Sequence, residues 1–466
     1  MEDNNTIPPW QEDPVVVRYK SLAQSKRTGF FDVEEFQVIL DHFLFHMDLE
    51  KASEALDKAL AQHPGADGLL LRKADLKLLN GEPKETLRIL SQLQMIYPTD
   101  TDVLSLKAEA LNAIGQNDRA IHILEALSRD MEGFEKSNVE MRLAQLRYTH
   151  TGALSAIPHW HEVITIDPEM EMAYTELEEC YVEADLLEES ARYFRSLVDA
   201  NPYNSQAWSS LGSCLRLDEQ YESAVAAFEY ALAIDEMDDT SKALMAYSLY
   251  QLDRYQESLD CYAQLHESFP DEATHLCCMA ECLEQLGRLD AADKRYREVL
   301  TQNAEYADAR LGLAILRDLE GETHQALKHI ETAVGLEPEN PELWLVYAKL
   351  LSKSGDDKRS RLSFARALQL NPDDLETTLH FIDHLCDQDE EDMVLEKVQV
   401  ALNELGDHPE LYLRALRILH SVNKTEEYST ILELMLDKHP KALELLKDYY
   451  PLLLEDEHVL SLLKNY

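Results

Sequence analysis

Apolar residues recur along this chain at helical spacing, and the pattern itself repeats. Laying EMAYTELEECYVEADLLEESARYFRSLVDANP over SQAWSSLGSCLRLDEQYESAVAAFEYALAIDE brings the apolar positions into register at a shift of 34 residues. Extended both ways, the frame gives twelve repeats. They begin at Val33, Asp67, Thr101, Ser137, Glu171, Ser205, Asp239, Ala273, Ala307, Pro341, Leu375 and Pro409. Only the third is longer, by two residues, Glu135 and Lys136. Each repeat reads as an apolar-periodic helix, a turn near the fifteenth position and a second such helix. Glycine often marks the turn (Gly81, Gly115, Gly287, Gly321, Gly355), and proline often closes the repeat (Pro64, Pro98, Pro168, Pro202), where it stops one helix and can open the next.

Three positions carry the packing. The eighth is small (Ala74, Ala108, Ala144, Gly212, Ala246, Ala280, Ala314, Ala348), with Glu178 as an internal exception. The twentieth is small too, with Ala52, Ala120, Ala156, Ala224, Ala292 and Ala326, and serine at Ser190, Ser258 and Ser360. Small residues at both let the two helices of a repeat approach closely. The twenty-fourth is large and apolar (Trp160, Phe194, Phe228, Tyr262, Tyr296, Phe364), which fills the space between neighbouring helices. The frame therefore assigns the stretch IPHWH, residues 157–161, to a helix start. Trp160 is its core residue, and Pro158 is expected in the first turn behind a Ser155 cap. His159 and His161, two apart on a helix, point in different directions and cannot share an ion.

On these residues the chain resembles the tetratricopeptide repeat family. AWSSLGSCLRLDEQYESAVAAFEYALAID matches its pattern through Trp208, Leu211, Gly212, Ala224, Phe228 and Ala231, departing where Glu236 replaces the closing proline. The whole also resembles the long stand-alone members of Bacteroidetes bacteria. The resemblance implies an all-α, right-handed α-solenoid, a superhelix of about twelve helix-turn-helix units. Residues 1–32 read as a tail and a short leading helix over 14–28, residues 33–442 as the repeats, and residues 443–466 as C-terminal capping helices.

Charge narrows the partners. The chain has 43 basic and 89 acidic residues, a formal net charge of −46. Such a field repels nucleic acid and anionic lipid and favours basic or neutral partners. Seven unpaired-looking cysteines fit a reducing compartment, no stretch reads as a signal or a membrane span, and a cytoplasmic location is expected.

In the family, the first helix of each repeat lines a concave groove through its second, fifth, sixth, ninth and twelfth positions. Carried over, this implies a non-catalytic scaffold that binds a protein or an extended peptide. The lysine–asparagine clamp that holds C-terminal carboxylates in some members is missing. The expected ligand-binding groove residues lie mid-chain: Glu179, Ser213, Arg216, Tyr247, Tyr250, Glu281 and Glu284. Tyrosines among carboxylates suit a peptide with basic residues, through cation–π contact and charge-assisted hydrogen bonds. The alternatives are a self-associating module, as a homodimer, and an accessory subunit of an envelope or secretion pathway. Lys349, Lys353, Arg414 and Arg417 read as ordinary surface. Cys180, Cys214 and Cys282 share the tenth position and read as packing residues; Cys278 and Cys282, four apart, could share a face, and redox sensitivity of Cys277, on the groove side, is a minor alternative. His380 with His384, and His42 with His46, have metal-compatible spacing but no further ligand pattern. DQDEED, residues 387–392, lacks the glycine and final glutamate of a calcium loop. No cofactor, metal or catalytic site is expected.

Overall fold

The structure, a computed structural model, describes residues 13–25 and 29–449; most of the expected N-terminal tail and residues 450–466 of the C-terminal cap lie outside it. Every regular element among the described residues is an α-helix. The fold is an all-α solenoid. The chain divides into two compact units, Met1–Leu244 and Met245–Tyr466. Within each, helices pack on their sequence neighbours, as Gly133–Thr151 does on Ala153–Ile166, and successive first helices such as Glu171–Glu183 and Ser205–Leu217 also touch.

First helices begin at Val33, Asp67, Thr101, Glu171, Ser205, Asp239, Ala273, Ala307, Pro341, Leu375 and Pro409. Local chemistry sets many of these starts. Asp32 caps Val33–Phe45 in a reciprocal capping box with Glu35. Asp100, Asn204, Asn340 and Asp374 each accept a backbone N–H of the first turn that follows them. The exception is the fourth first helix, which runs from Gly133 to Thr151 instead of starting at Ser137. Nothing before Ser137 stops a helix, so Glu135 and Lys136 extend it by a turn instead of lengthening a loop. The leading helix, Pro14–Gln24, is capped by Asp13 and ends earlier than the expected Thr28. It covers the first repeat by packing Val16 and Tyr19 against Phe31, Phe36 and Phe43.

The fifteenth position is left-handed in eleven of the twelve repeats; in the fourth, Thr151 is still helical and Gly152 takes the left-handed place (φ 92°). Five of these residues are glycine, from Gly81 (φ 74°) to Gly355 (φ 82°). Six are not: Met47, Asp185, Glu219, Asp253, Asp389 and Asn423 take φ between 53° and 59°. Tertiary packing holds these against a local cost of about 1 kcal/mol or more each.

Between the helices of a repeat, the eighth and twentieth positions are buried, except for the partly exposed Glu178. Where the twentieth is a hydroxyl residue it also makes a bond. Thr86 donates to the carbonyl of Ala74 (3.0 Å), Ser258 to Ala246 (2.7 Å) and Ser360 to Ala348 (2.9 Å). The twenty-fourth residues Trp160, Phe194, Phe228, Tyr296 and Phe364 are at most 1% exposed. Two glycines face such rings. A Cβ on Gly212 would lie 2.6 Å from Phe228, and one on Gly312 2.2 Å from Tyr296.

Gly312→Ala is expected to lower stability by about 1–3 kcal/mol, because the buried Tyr296 ring must move. Gly335→Ala, helical and with nothing within 4 Å of the added methyl, is expected to be neutral or stabilising by up to about 1 kcal/mol. Thermal unfolding of the two variants side by side decides this; equal midpoints would mean that the glycine–tyrosine contact does not constrain the fold.

Candidate functional site

The mid-chain residues divide between the two compact units. In the first, Glu179 is exposed, whereas Ser213 is 8% exposed. Ser213 donates its hydroxyl to Glu178, the charged residue at the eighth position, and Arg216 adds its charge to the same carboxyl. In the second unit, Tyr247 is exposed. Tyr250 is half-buried with its ring edge-on to Tyr255, centroids 5.2 Å apart, and burial pushes its phenol up to about 12. Glu281 receives the Cys277 thiol at 3.7 Å; burial and the nearby Asp308 carboxylate push its carboxyl up to about 7. Glu284 accepts the Tyr296 hydroxyl at 3.2 Å. Ser213 and Glu284 thus turn polar groups inward, while Glu179 and Tyr247 face solvent.

A run of recesses lies elsewhere, on the first helices of repeats one to four. A cavity of about 530 Å³ is lined by Gln37, Gly68, Leu71, Arg72, Asp75, Asp102, Ser105, Leu106, Glu109 and Arg142. A second of about 450 Å³ shares Asp102, Ser105 and Arg142 and adds Asn138 and Met141. A third of about 350 Å³ shares Glu109 and Arg142 and adds Asn112 and Gln145. Most of these residues occupy the second, fifth, sixth, ninth and twelfth positions of their repeats. Gly68 and Ser105 are small where a larger residue would fill the first cavity. Arg72 pairs with Asp41 at 2.7 Å and stands 4.0 Å from Asp75; Arg142 pairs with Glu109. Burial raises the Asp75 carboxyl, and the charges of Arg72 and Arg142 only partly offset this. Their sequence signal is modest: a glycine and a serine at lining positions, beside arginine at the sixth position of the second and fourth repeats.

Comparison with known proteins agrees with this repeat architecture. One tetratricopeptide repeat family model matches residues 47–110 and 319–377, and a second matches 181–238 and 244–292. The chain carries tetratricopeptide repeats. It is 20% identical over 425 residues to the TPR repeat-containing protein YpiA of Bacillus subtilis, covering 90% of this chain and 91% of that protein. It is 22% identical over 292 residues to a TPR repeat-containing protein of Methanocaldococcus jannaschii, covering 53% of this chain and 48% of that one. Among solved structures, a thermophilic TPR protein of Thermus thermophilus is 23% identical with a TM-score of 0.36, over 39% of this chain and 98% of the other. None of the three bears on the likeness to Bacteroidetes proteins.

Other side chains with chemical potential in these tetratricopeptide repeats have structural partners. The second helix of the fourth repeat, Ala153–Ile166, begins directly after Gly152 (φ 92°). Ser155 therefore lies inside the helix and does not cap it, and Pro158 sits in the second turn, not the first. Trp160 is fully buried. His159 binds the buried Glu140 at 2.7 Å. Burial raises the Glu140 carboxyl, but hydrogen bonds from His159 and Ser128 more than offset it, leaving the pKa below its ordinary value. His161 binds the Tyr181 hydroxyl at 2.8 Å and stacks on Tyr193 at 3.8 Å; burial lowers its pKa to about 4. Burial pushes the Cys180 and Cys282 thiols up to about 11 and the Cys214 and Cys278 thiols up to about 12, and raises Cys277 as well. Thiolates, the reactive form, are therefore scarce near neutral pH.

His384 binds the Ser352 hydroxyl at 2.8 Å, whereas His380 faces Glu376 at 3.6 Å. The His42 and His46 rings lie tilted to one another with centroids 4.4 Å apart, and His46 binds the His42 carbonyl at 2.8 Å. Among the described residues no group of three His, Cys, Asp or Glu side chains is placed to hold a metal, and no helix is long and apolar enough to cross a membrane. Lys353 pairs with Asp318 at 2.6 Å, Arg414 with Asp383 at 2.8 Å and Arg417 with Asp387 at 2.5 Å.

Two pH effects follow with opposite signs. His161 is neutral in the fold, so the stability it contributes is present above its unfolded pKa near 6.5 and lost as pH falls toward about 4. His161→Gln is expected to flatten the thermal midpoint over that window, and an unchanged pH slope would remove His161 from the account. Glu281 is raised, so its burial favours the fold at low pH and disfavours it as pH climbs from 4.5 toward about 7. Glu281→Gln is expected to raise the midpoint near about pH 8 and to leave it unchanged near about pH 4; a loss of stability at the higher pH would refute this sign.

Proposed function

We propose that the chain is a non-catalytic scaffold that binds a partner protein or an extended peptide along the lining face of its first helices. The carrying observation is the run of three recesses over repeats one to four. They share residues one with the next, and all three reach Arg142. A run of open, polar recesses suits a chain laid across several repeats better than a compact metabolite, which needs an enclosed and mostly apolar pocket. Backbone hydrogen bonds and a few side-chain recesses then give affinity and choice of partner. Tyr247 and Glu281, in the second compact unit, offer a further surface of the same kind. The net charge of −46 favours a basic or neutral partner.

Affinity capture with quantitative mass spectrometry tests the reading. Asp102 is exposed and lines two of the recesses, so Asp102→Trp obstructs them without disturbing the core. Recovery of the partner is expected to fall by roughly tenfold or more; recovery at the wild-type level would defeat the proposal for this segment. Tyr247→Ala combined with Glu281→Lys asks the same of the mid-chain surface, where unchanged recovery would exclude it.

A further inference from the structure

Charge and shape in the recess of about 530 Å³ over the first four repeats define what the partner brings. Arg72 and Arg142 are both committed to carboxylates of neighbouring repeats, Asp41 and Glu109. Asp75 is only 4.0 Å from Arg72, at the edge of an ion pair, and Asp102 lies exposed at the rim. Four carboxylates therefore surround two guanidinium groups, and the unmatched charge is negative. Leu71 and Leu106 provide apolar wall along the same cavity of about 530 Å³. Gly68 keeps the recess open, since a Cβ there would meet only the Gln37 side-chain nitrogen at 3.6 Å.

We propose that the recess between Asp75 and Asp102 receives a lysine or arginine side chain of an extended partner peptide. This rests on the groove reading above and specifies the partner for it. The methylene stem would cover the leucines while the cation lies between the two carboxylates. An acidic side chain in the same place would bring a fifth carboxylate to two arginines that are already paired. Burial raises the Asp75 pKa by more than Arg72 and Arg142 offset, and a further cation from the partner would favour its ionised form.

Peptide libraries of random short sequences with one fixed residue, binding to the full chain by fluorescence polarisation, are the probe. Libraries with fixed lysine or arginine are expected to bind roughly tenfold more tightly than those with fixed alanine or glutamate. Added salt should reduce the preference. The double variant Asp75→Asn with Asp102→Asn is expected to abolish it, with circular dichroism reporting an intact fold. Gly68→Leu, which fills the recess from a helical position, is expected to weaken all binding. If Gly68→Leu weakens binding but lysine is not preferred, or if the preference survives the double variant, the cation assignment is overturned and the groove reading stands. If Gly68→Leu changes nothing, or no library binds up to about 1 mM, both fall.

Discussion

The fold rests on how closely two helices of one repeat can approach. Alanine at the eighth and twentieth positions removes the side chains that would hold the helices apart, and the large residue at the twenty-fourth closes the space beyond. Where Thr86, Ser258 and Ser360 replace alanine, the hydroxyl donates to the carbonyl of the eighth residue. The contact is then polar without leaving a buried donor unmet. Gly212 and Gly312 extend the same logic, since each gives up a Cβ to a ring of the preceding or following helix.

Packing of this kind leaves many of the lining positions of the first helices free to vary, although some, such as Leu345 and Leu413, join the core. In repeats one to four that freedom produces recesses, through Gly68 and Ser105, and ties them across repeats with Arg72 and Arg142. In the second compact unit it produces instead a set of neighbouring carboxylates. Partial desolvation raises Glu281, Asp308 and Glu342 alike, and each is also raised by neighbouring acidic charge. Both regions accept an electrostatic cost that better-matched side chains would avoid. Such a cost is what a surface awaiting a partner, rather than one optimised for stability, is expected to carry.

The repeat frame was readable because a period of 34 residues is reinforced in many copies, so a local exception such as Glu178 does not disturb it. The departures occur where the deciding signal is an absence. No proline or capping residue stands before Ser137, so the helix runs back to Gly133. Gly152 ends that helix and leaves no linker, so the next begins at Ala153 and Pro158 falls a turn deeper than Ser155 suggested. The site was less readable than the frame. Tyrosines and glutamates draw attention in a sequence. A cavity is made by what is missing at Gly68 and Ser105, and it has volume only once three repeats are stacked. Likewise, nothing in the sequence distinguishes Glu284, which binds Tyr296, from Glu179, which faces solvent.

The buried thiols have a practical side. Cys180, Cys214, Cys282 and Cys386 are shielded, with pKa values pushed up to about 11 or 12, and they sit in four different repeats across both compact units. A repeat that opens exposes its cysteine and restores an ordinary thiol, while one that stays closed protects it. The chain thus carries native chemical labels along its length. The order in which they become alkylated would record which repeats loosen first, without any residue having to be introduced.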